Sequence, residues 1–404
     1  MGITHENKLG MFIHWGLYST VGLHEQAQAR YNIPSGEYES LAARFNPEAY
    51  DPLEWVLLAK RAGMKYICFT TKHHDGFCMW DTKETDYNIM NTPYGKDTLK
   101  LLADACEKHG MLLSLYYSNP DWHHPYGYNP LSSHQWSAKY KDVTDTEKYR
   151  EFIKRQLREL LTGYGKIYSF FWDIPPMIED SSMNELVREL QPGIFINDRG
   201  WGEGDFSTPE REYDAGDMRF PKMTEACNSV GRQSWGYRIG EDFYSKRHLL
   251  SSIDRYMALG ASYLLNVGPD GSGVITEEYR ERILAVGDWY MRMEGCLECA
   301  EEDSFDYQPI GEKYIATQKG GKTYLHFYQG IISSAVALRR YPDHPKSVRL
   351  MNNGKSLDAG VTYIPELFSG SPDEEQPKCL YIRGIDVDAL EGEPIVIEIE
   401  WNKI

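Results

Sequence analysis

The chain has no stretch of 18 apolar residues, so nothing in it reads as a membrane-spanning helix. No apolar signal core precedes Lys8-Leu9-Gly10, where patterned sequence already begins. Zinc-site spacing is missing too: the seven cysteines are scattered, and Cys296-x-x-Cys299 has no second pair. An odd set of scattered cysteines reads as free thiols in a reducing compartment, and the expected location is the cytoplasm. No Gly-x-Gly-x-x-Gly follows the first apolar run, which leaves a dinucleotide fold without support. Positive charge is in short supply, with 43 Lys and Arg against 60 Asp and Glu, a net charge of −17. That balance disfavours nucleic acid and anionic membrane as partners and favours a neutral ligand. Aromatic residues are plentiful: 29 Tyr and 10 Trp among 404 residues. Their faces suit the C–H edges of sugar rings, although tyrosine also fills barrel cores.

The length suits one large domain and a smaller one. Strand-like runs at 9–13, 65–71, 111–117, 168–173, 193–196 and 262–267 alternate with helical patterns over 51–62, 97–109, 144–163, 183–190, 251–259 and 276–293. The helix over 144–163 carries the clearest signals: Thr144 and Glu147 form a capping box, and Gly163 is placed as the C′ residue. The stretch 200–244 reads as long loops with short strands between. About eight βα units over some 295 residues fit a closed (β/α)8-like TIM barrel better than an open sheet. Beyond about residue 300, short strand-like runs separated by turn residues predict a small antiparallel β-sandwich. The expected domains are 1–300 for the barrel and 301–404 for the sandwich.

Polar residues gather just past the predicted strand ends. His14 follows the first, His73 and His74 the second, and Tyr116 and Tyr117 close the third. Asp173 ends the fourth and Asn197-Asp198-Arg199 the fifth. A lone Asp before Pro175-Pro176 reads most simply as a turn or cap residue. Five strand ends carrying such groups on one rim make a site instead, because the C-terminal rim of a parallel barrel is where they meet.

Gly10-Met11-Phe12-Ile13-His14-Trp15-Gly16, Lys72-His73-His74-Asp75-Gly76-Phe77, Tyr116-Tyr117-Ser118 and Leu264-Leu265-Asn266-Val267-Gly268-Pro269 resemble the α-L-fucosidases of glycoside hydrolase family 29. The resemblance runs from about residue 8 to 300. It implies a barrel enzyme, without cofactor or metal, that removes terminal α-L-fucose from fucosylated oligosaccharides or glycoconjugates with retention of configuration. It implies Asp173 as nucleophile, because Tyr164-Gly165-Lys166-Ile167 and the strand after it align with the family's nucleophile segment. Thr224-Glu225-Ala226-Cys227 before Ser234-Trp235-Gly236-Tyr237 implies Glu225 as acid/base. Sugar-binding roles are implied for His14, Glu25, His73, His74, Tyr116 and Arg199, with Trp235 in an apolar wall.

Elementary chemistry agrees with such a pair. Retention needs two carboxyls about 5–5.5 Å apart, one ionised to attack and one protonated to assist departure. Glu212, Asp214, Asp217 and Glu241 share the same region and stay open as alternatives to Glu225. Three departures from the family pattern stand out: Gln26 replaces the tryptophan after Glu25, Thr224 replaces the tryptophan before Glu225, and Ile174 replaces a glycine after Asp173. Gln26 makes α-L-galactose, fucose with a hydroxyl on C6, an alternative substrate. Two rivals remain. A metal-dependent barrel hydrolase could use His14, His73, His74 and Asp173, but adjacent histidines on an extended chain are expected to point apart. A sugar-binding relative without catalysis is disfavoured by the presence of both carboxylates.

Overall fold

Apolar runs that are buried on both faces become the strands of one parallel sheet. The computed structural model describes residues 7–130, 139–140, 145–211, 218–363 and 378–402. The sheet contains β1 (Leu9–Ile13), β2 (Tyr66–Lys72), β3 (Leu112–Ser118), β4 (Ser169–Asp173), β5 (Phe195–Ile196), β6 (Glu225–Ser229) and β7 (Ser262–Val267), in the order β5-β4-β3-β2-β1-β7-β6. All six ladders are parallel. Parallel strands need helices over their outer face, which explains their near-continuous apolar sequences.

The ring closes through an irregular segment, 205–211. Asp205 N donates to Ile196 O at 2.6 Å, and Phe206 O accepts from Asp198 N at 2.9 Å on the β5 side. On the β6 side, Ser207 O accepts from Glu225 N at 2.8 Å and Pro209 O from Cys227 N at 2.9 Å. Arg211 N then donates to Cys227 O at 3.1 Å. Pro209 has no N–H to offer, so bridges form here in place of a ladder. Eight parallel segments thus make the expected (β/α)8-like barrel.

Three short helices, α1 (Leu17–Val21), α2 (Ala27–Arg30) and α3 (Ser35–Glu39), fold over the rim after β1. The outer helices are α4 (Pro52–Arg61), α5 (Thr98–His109), α6 (Thr146–Gly163), α7 (Ser182–Leu190), α8 (Lys246–Ala258) and α9 (Glu277–Leu297). Asp51 and Asp97 cap α4 and α5 by accepting from Leu53 N and Lys100 N. The expected capping box at α6 falls partly on Thr144, outside the described residues. The cap is Asp145, whose carboxylate accepts from Lys148 N at 3.1 Å. Gly163 is the last helical residue and not the C′ residue. Tyr164 is the C-cap, and Gly165, at φ 75°, makes the left-handed turn.

The remaining strands are β8 (Glu301–Glu302), β9 (Ile315–Lys319), β10 (Lys322–Phe327), β11 (Ala335–Leu338), β12 (Pro345–Leu350), β13 (Asp358–Tyr363), β14 (Lys378–Arg383) and β15 (Ile395–Trp401). They form antiparallel sheets in the orders β12-β15-β10-β9-β8 and β11-β14-β13. Leu325, Ile397 and Ile399 pack with Leu380 and Ile382 between the sheets. Tyr324 and Val396, on the opposite face, join the barrel's core. At this junction His326 Nδ1 lies 2.8 Å from Asp254 Oδ1 on α8, both side chains fully buried, and Thr317 Oγ1 meets His326 Nε2 at 3.0 Å. Replacing one member of a buried pair strands the other. His326→Leu is therefore expected to lower unfolding free energy by about 3 kcal/mol or more, measured by denaturant unfolding.

Candidate active site

The strand ends open into a cleft of about 370 Å³. Of the residues singled out in the sequence, His14, Glu25, His73, His74, Tyr116, Asp173, Arg199 and Trp235 line it, and Glu225 does not. Phe12, Gln26, Phe171, Glu210 and Cys227 complete the lining.

Asp173 closes β4, and its carboxylate is surrounded by donors. Tyr116 Oη donates to Oδ2 at 2.6 Å, while Arg199 Nη1 at 3.2 Å and Ile174 N at 3.0 Å donate to Oδ1. His74 Nε2 stands 3.7 Å from Oδ2. Burial alone would raise the carboxyl's pKa; the Arg199 charge and the Tyr116 bond oppose it, and the net shift is downward. Ile174, the residue after it, sits at φ 61°, a left-handed conformation that a β-branched side chain seldom adopts. Asn119 Nδ2 holds its carbonyl at 2.6 Å, and such a constraint stores on the order of 1–3 kcal/mol.

His73 and His74 both face the cleft, with ring centroids 4.2 Å apart. The expectation that they diverge fails because β2 ends at Lys72 and the pair lies in the following turn. The turn is pinned from behind. Lys72, fully buried, reaches Asp121 Oδ2 at 3.2 Å and lies 4.2 Å from the centre of the Tyr117 ring. Trp122 N donates to His74 O at 2.8 Å. Gly76, at φ 81°, is required there, since a Cβ would fall 2.1 Å from Asp121 Oδ1.

On the opposite wall, Glu25 Oε2 accepts from Ser234 Oγ and Trp235 N, each at 2.8 Å. Burial pushes Glu25 up, but His24, His14 and the Ser234 bond bring it below its ordinary value. The His14 ring stacks on Trp235 at 5.3 Å, and burial lowers its pKa to about 4. His73 is depressed further, by burial and by its histidine neighbours. Gln26 and His73, which line this cleft, each hold a buried polar atom without a partner in the protein, Gln26 Oε1 and His73 Nδ1. Among the described residues, no group of three or more His, Cys, Asp or Glu side chains is arranged to hold a metal ion.

Glu210 is the carboxylate that reading the sequence missed. Its Oε2 accepts from Arg199 Nη1 at 2.9 Å, the same nitrogen that reaches Asp173 Oδ1 at 3.2 Å. The two carboxyl oxygens therefore lie within about 6 Å of each other. The available signal was Phe206-Ser207-Thr208, a short run bounded by Asp205 and Pro209, with a carboxylate at its C-terminal end as in β4.

Glu225 occupies a different place. It begins β6, paired with Ser262 at the start of β7, and so lies at the N-terminal end of the barrel; Cys227, two residues on, reaches the cleft. Alternation along a strand puts Glu225 on the same inward face but a full step below. Tyr66 Oη donates to its Oε2 at 2.5 Å, and Gly10 makes room for that ring, which lies 2.3 Å from where a Cβ would stand. Of the alternatives, Glu241 is tied to Gln233 N, Ser234 N and Asp242 N and does not line the cleft. Glu212, Asp214 and Asp217 lie outside the described residues.

A family described as Alpha-L-fucosidase matches residues 3–295. The chain belongs to the alpha-L-fucosidase family. The tissue alpha-L-fucosidases of Rattus norvegicus and Homo sapiens are 28% and 29% identical over 314 residues, 70% of this chain. The match spans 66% of each relative's length. Alpha-L-fucosidase isoenzyme 1 from Paenibacillus thiaminolyticus superposes with a TM-score of 0.85 at 30% identity, covering 98% of this chain and 97% of that one. The alpha-L-fucosidase AlfC from Lactobacillus casei, in complex with alpha-L-fucose product, gives 0.64 at 32% identity over 70% of this chain and 94% of its own.

The placement of Glu225 has a measurable consequence. Burial raises its pKa from 4.5 to about 7, with the Tyr66 bond opposing in part. The folded state then binds a proton more tightly than the unfolded state, so the contribution to stability is full below pH 4.5 and lost as pH rises through 7. The fall amounts to about 3 kcal/mol. Glu225→Gln is expected to flatten that part of the stability–pH curve, read from denaturant midpoints between pH 4 and 8.

Proposed function

We propose that this fucosidase-family chain is a retaining exo-glycoside hydrolase that removes terminal α-L-fucose from oligosaccharides or glycoconjugates. Asp173 is its nucleophile and Glu210 its acid/base. The observation that carries this reading is the pair of carboxylates on one Arg199 nitrogen, at 3.2 and 2.9 Å, in the wall of the cleft. That spacing is compatible with the ~5–5.5 Å of a double displacement.

In the first step Asp173 attacks the anomeric carbon while protonated Glu210 gives its proton to the departing glycosidic oxygen. A proton on Glu210 also leaves the Arg199 charge to Asp173, which keeps the nucleophile ionised. In the second step the Glu210 carboxylate takes a proton from water, whose oxygen attacks the same carbon and frees Asp173. Glu210 is partly exposed, on the side from which leaving group and water exchange. His14, His73, Glu25 and Gln26 offer acceptors and donors to a polyol, and Phe12, Phe171 and Trp235 offer an apolar wall to a C5 methyl group. The unpartnered Gln26 Oε1 favours a second reading, preference for α-L-galactose. Rates on the two nitrophenyl glycosides decide between them. The thiols of Cys68, Cys78, Cys106, Cys227, Cys296 and Cys379, free of disulfides, support a reducing, cytoplasmic setting.

Asp173→Ala is expected to reduce kcat on nitrophenyl α-L-fucoside about a thousandfold or more. A 2-fluoro fucosyl donor should label the peptide containing Asp173, and label elsewhere would overturn the assignment. Glu210→Ala is expected to lose about 10²-fold or more, with azide restoring turnover. Azide rescue of Glu225→Ala instead would return the acid/base role to Glu225.

A further inference from the structure

Two residues from the sequence motifs, Ser118 and Asn266, touch the cleft only through histidines. Ser118 Oγ donates its one proton to Pro120 O at 2.8 Å, and a carbonyl can only accept. The 2.6 Å contact between Ser118 Oγ and His74 Nδ1 must therefore carry the histidine's proton. Asn266 imposes the same order on His14. Its amide nitrogen donates to Trp235 O at 2.6 Å and Ser229 Oγ at 3.0 Å, which leaves Oδ1 to accept from His14 Nδ1 at 2.7 Å. The amide cannot be turned round, because its oxygen would then face the Trp235 carbonyl.

We propose that Ser118 and Asn266 are positioning residues that lock His74 and His14 as Nδ1–H tautomers. Both rings then turn a bare Nε2 to the cleft and accept protons from substrate hydroxyls. This rests on the reading of the cleft as a sugar site. A neutral imidazole with a proton on one nitrogen has only a lone pair on the other. Burial keeps both histidines uncharged at neutral pH. His74 Nε2 and Asp173 Oδ2, 3.7 Å apart, are then two acceptors facing each other, and only a donor can satisfy the space beside them. A sugar hydroxyl is such a donor. Were the tautomer reversed, Nε2–H would donate to Asp173 itself, taking up a lone pair of the nucleophile and leaving the hydroxyl without an acceptor.

The test is a long-range ¹H–¹⁵N spectrum of the full chain with ¹⁵N-labelled histidine at pH 7, without sugar. His14→Gln and His74→Gln variants assign the signals. The expected result is an unprotonated Nε2 and a protonated Nδ1 for both rings. A protonated Nε2 on either ring in the parent overturns the proposal, whatever the variants do. Ser118→Ala is expected to move the His74 signals toward the Nε2–H tautomer and to lower kcat/KM on nitrophenyl α-L-fucoside at least tenfold, with the thermal midpoint held. An unchanged His74 tautomer, or a changed one with the parent's kcat/KM, overturns it. The spectrum needs no turnover, so a parent that fails to cleave fucosides would sink the activity alone.

Discussion

A single guanidinium nitrogen sets the geometry on which the rest of the site depends. Arg199 reaches across from the loop after β5 and is shared by Asp173, on a regular strand, and Glu210, on an irregular one. Two carboxylates this close would repel each other without a cation between them. With it, their separation is fixed. Thr208 O, 2.8 Å from Arg199 Nη2, keeps the guanidinium in place.

Much of the barrel was legible because parallel strands buried on both faces are spelled in unbroken apolar runs. β2, β3 and β7 fall within a residue or so of where the runs place them, and the single Asp at the end of β4 stands on the rim as its position implied. The seam between β5 and β6 was hidden. Its strand-like core is Phe206-Ser207-Thr208, bounded by Asp205 and Pro209, too short and too polar to stand out from loop sequence. Glu210 was lost with it. The Thr-Glu-Ala-Cys segment drew attention to Glu225, but a motif does not say which step of a strand faces the opening. The height of residues along β6 decides that, and it favours Cys227.

Glu225 belongs instead to the base of the barrel. Its carboxyl, the Tyr66 hydroxyl and the space left by Gly10 form one contact across the interior. A polar group there must be satisfied internally, and a protonated carboxyl with a phenol is one way to do so. The motifs of this sequence thus mix two kinds of residue: those that meet a ligand and those that hold the scaffold open beneath it.

The seam also separates rigidity from adaptability within the pair of carboxylates that Arg199 joins. β4 is hydrogen-bonded on both sides, whereas the stretch bearing Glu210 is held by scattered bridges interrupted by Pro209. Changes of residue or length near Pro209 would alter the cleft wall beside Glu210 without disturbing the ladder under Asp173. Diversification toward new acceptors therefore has a natural address in this architecture: the one stave of the barrel that was never fully nailed down.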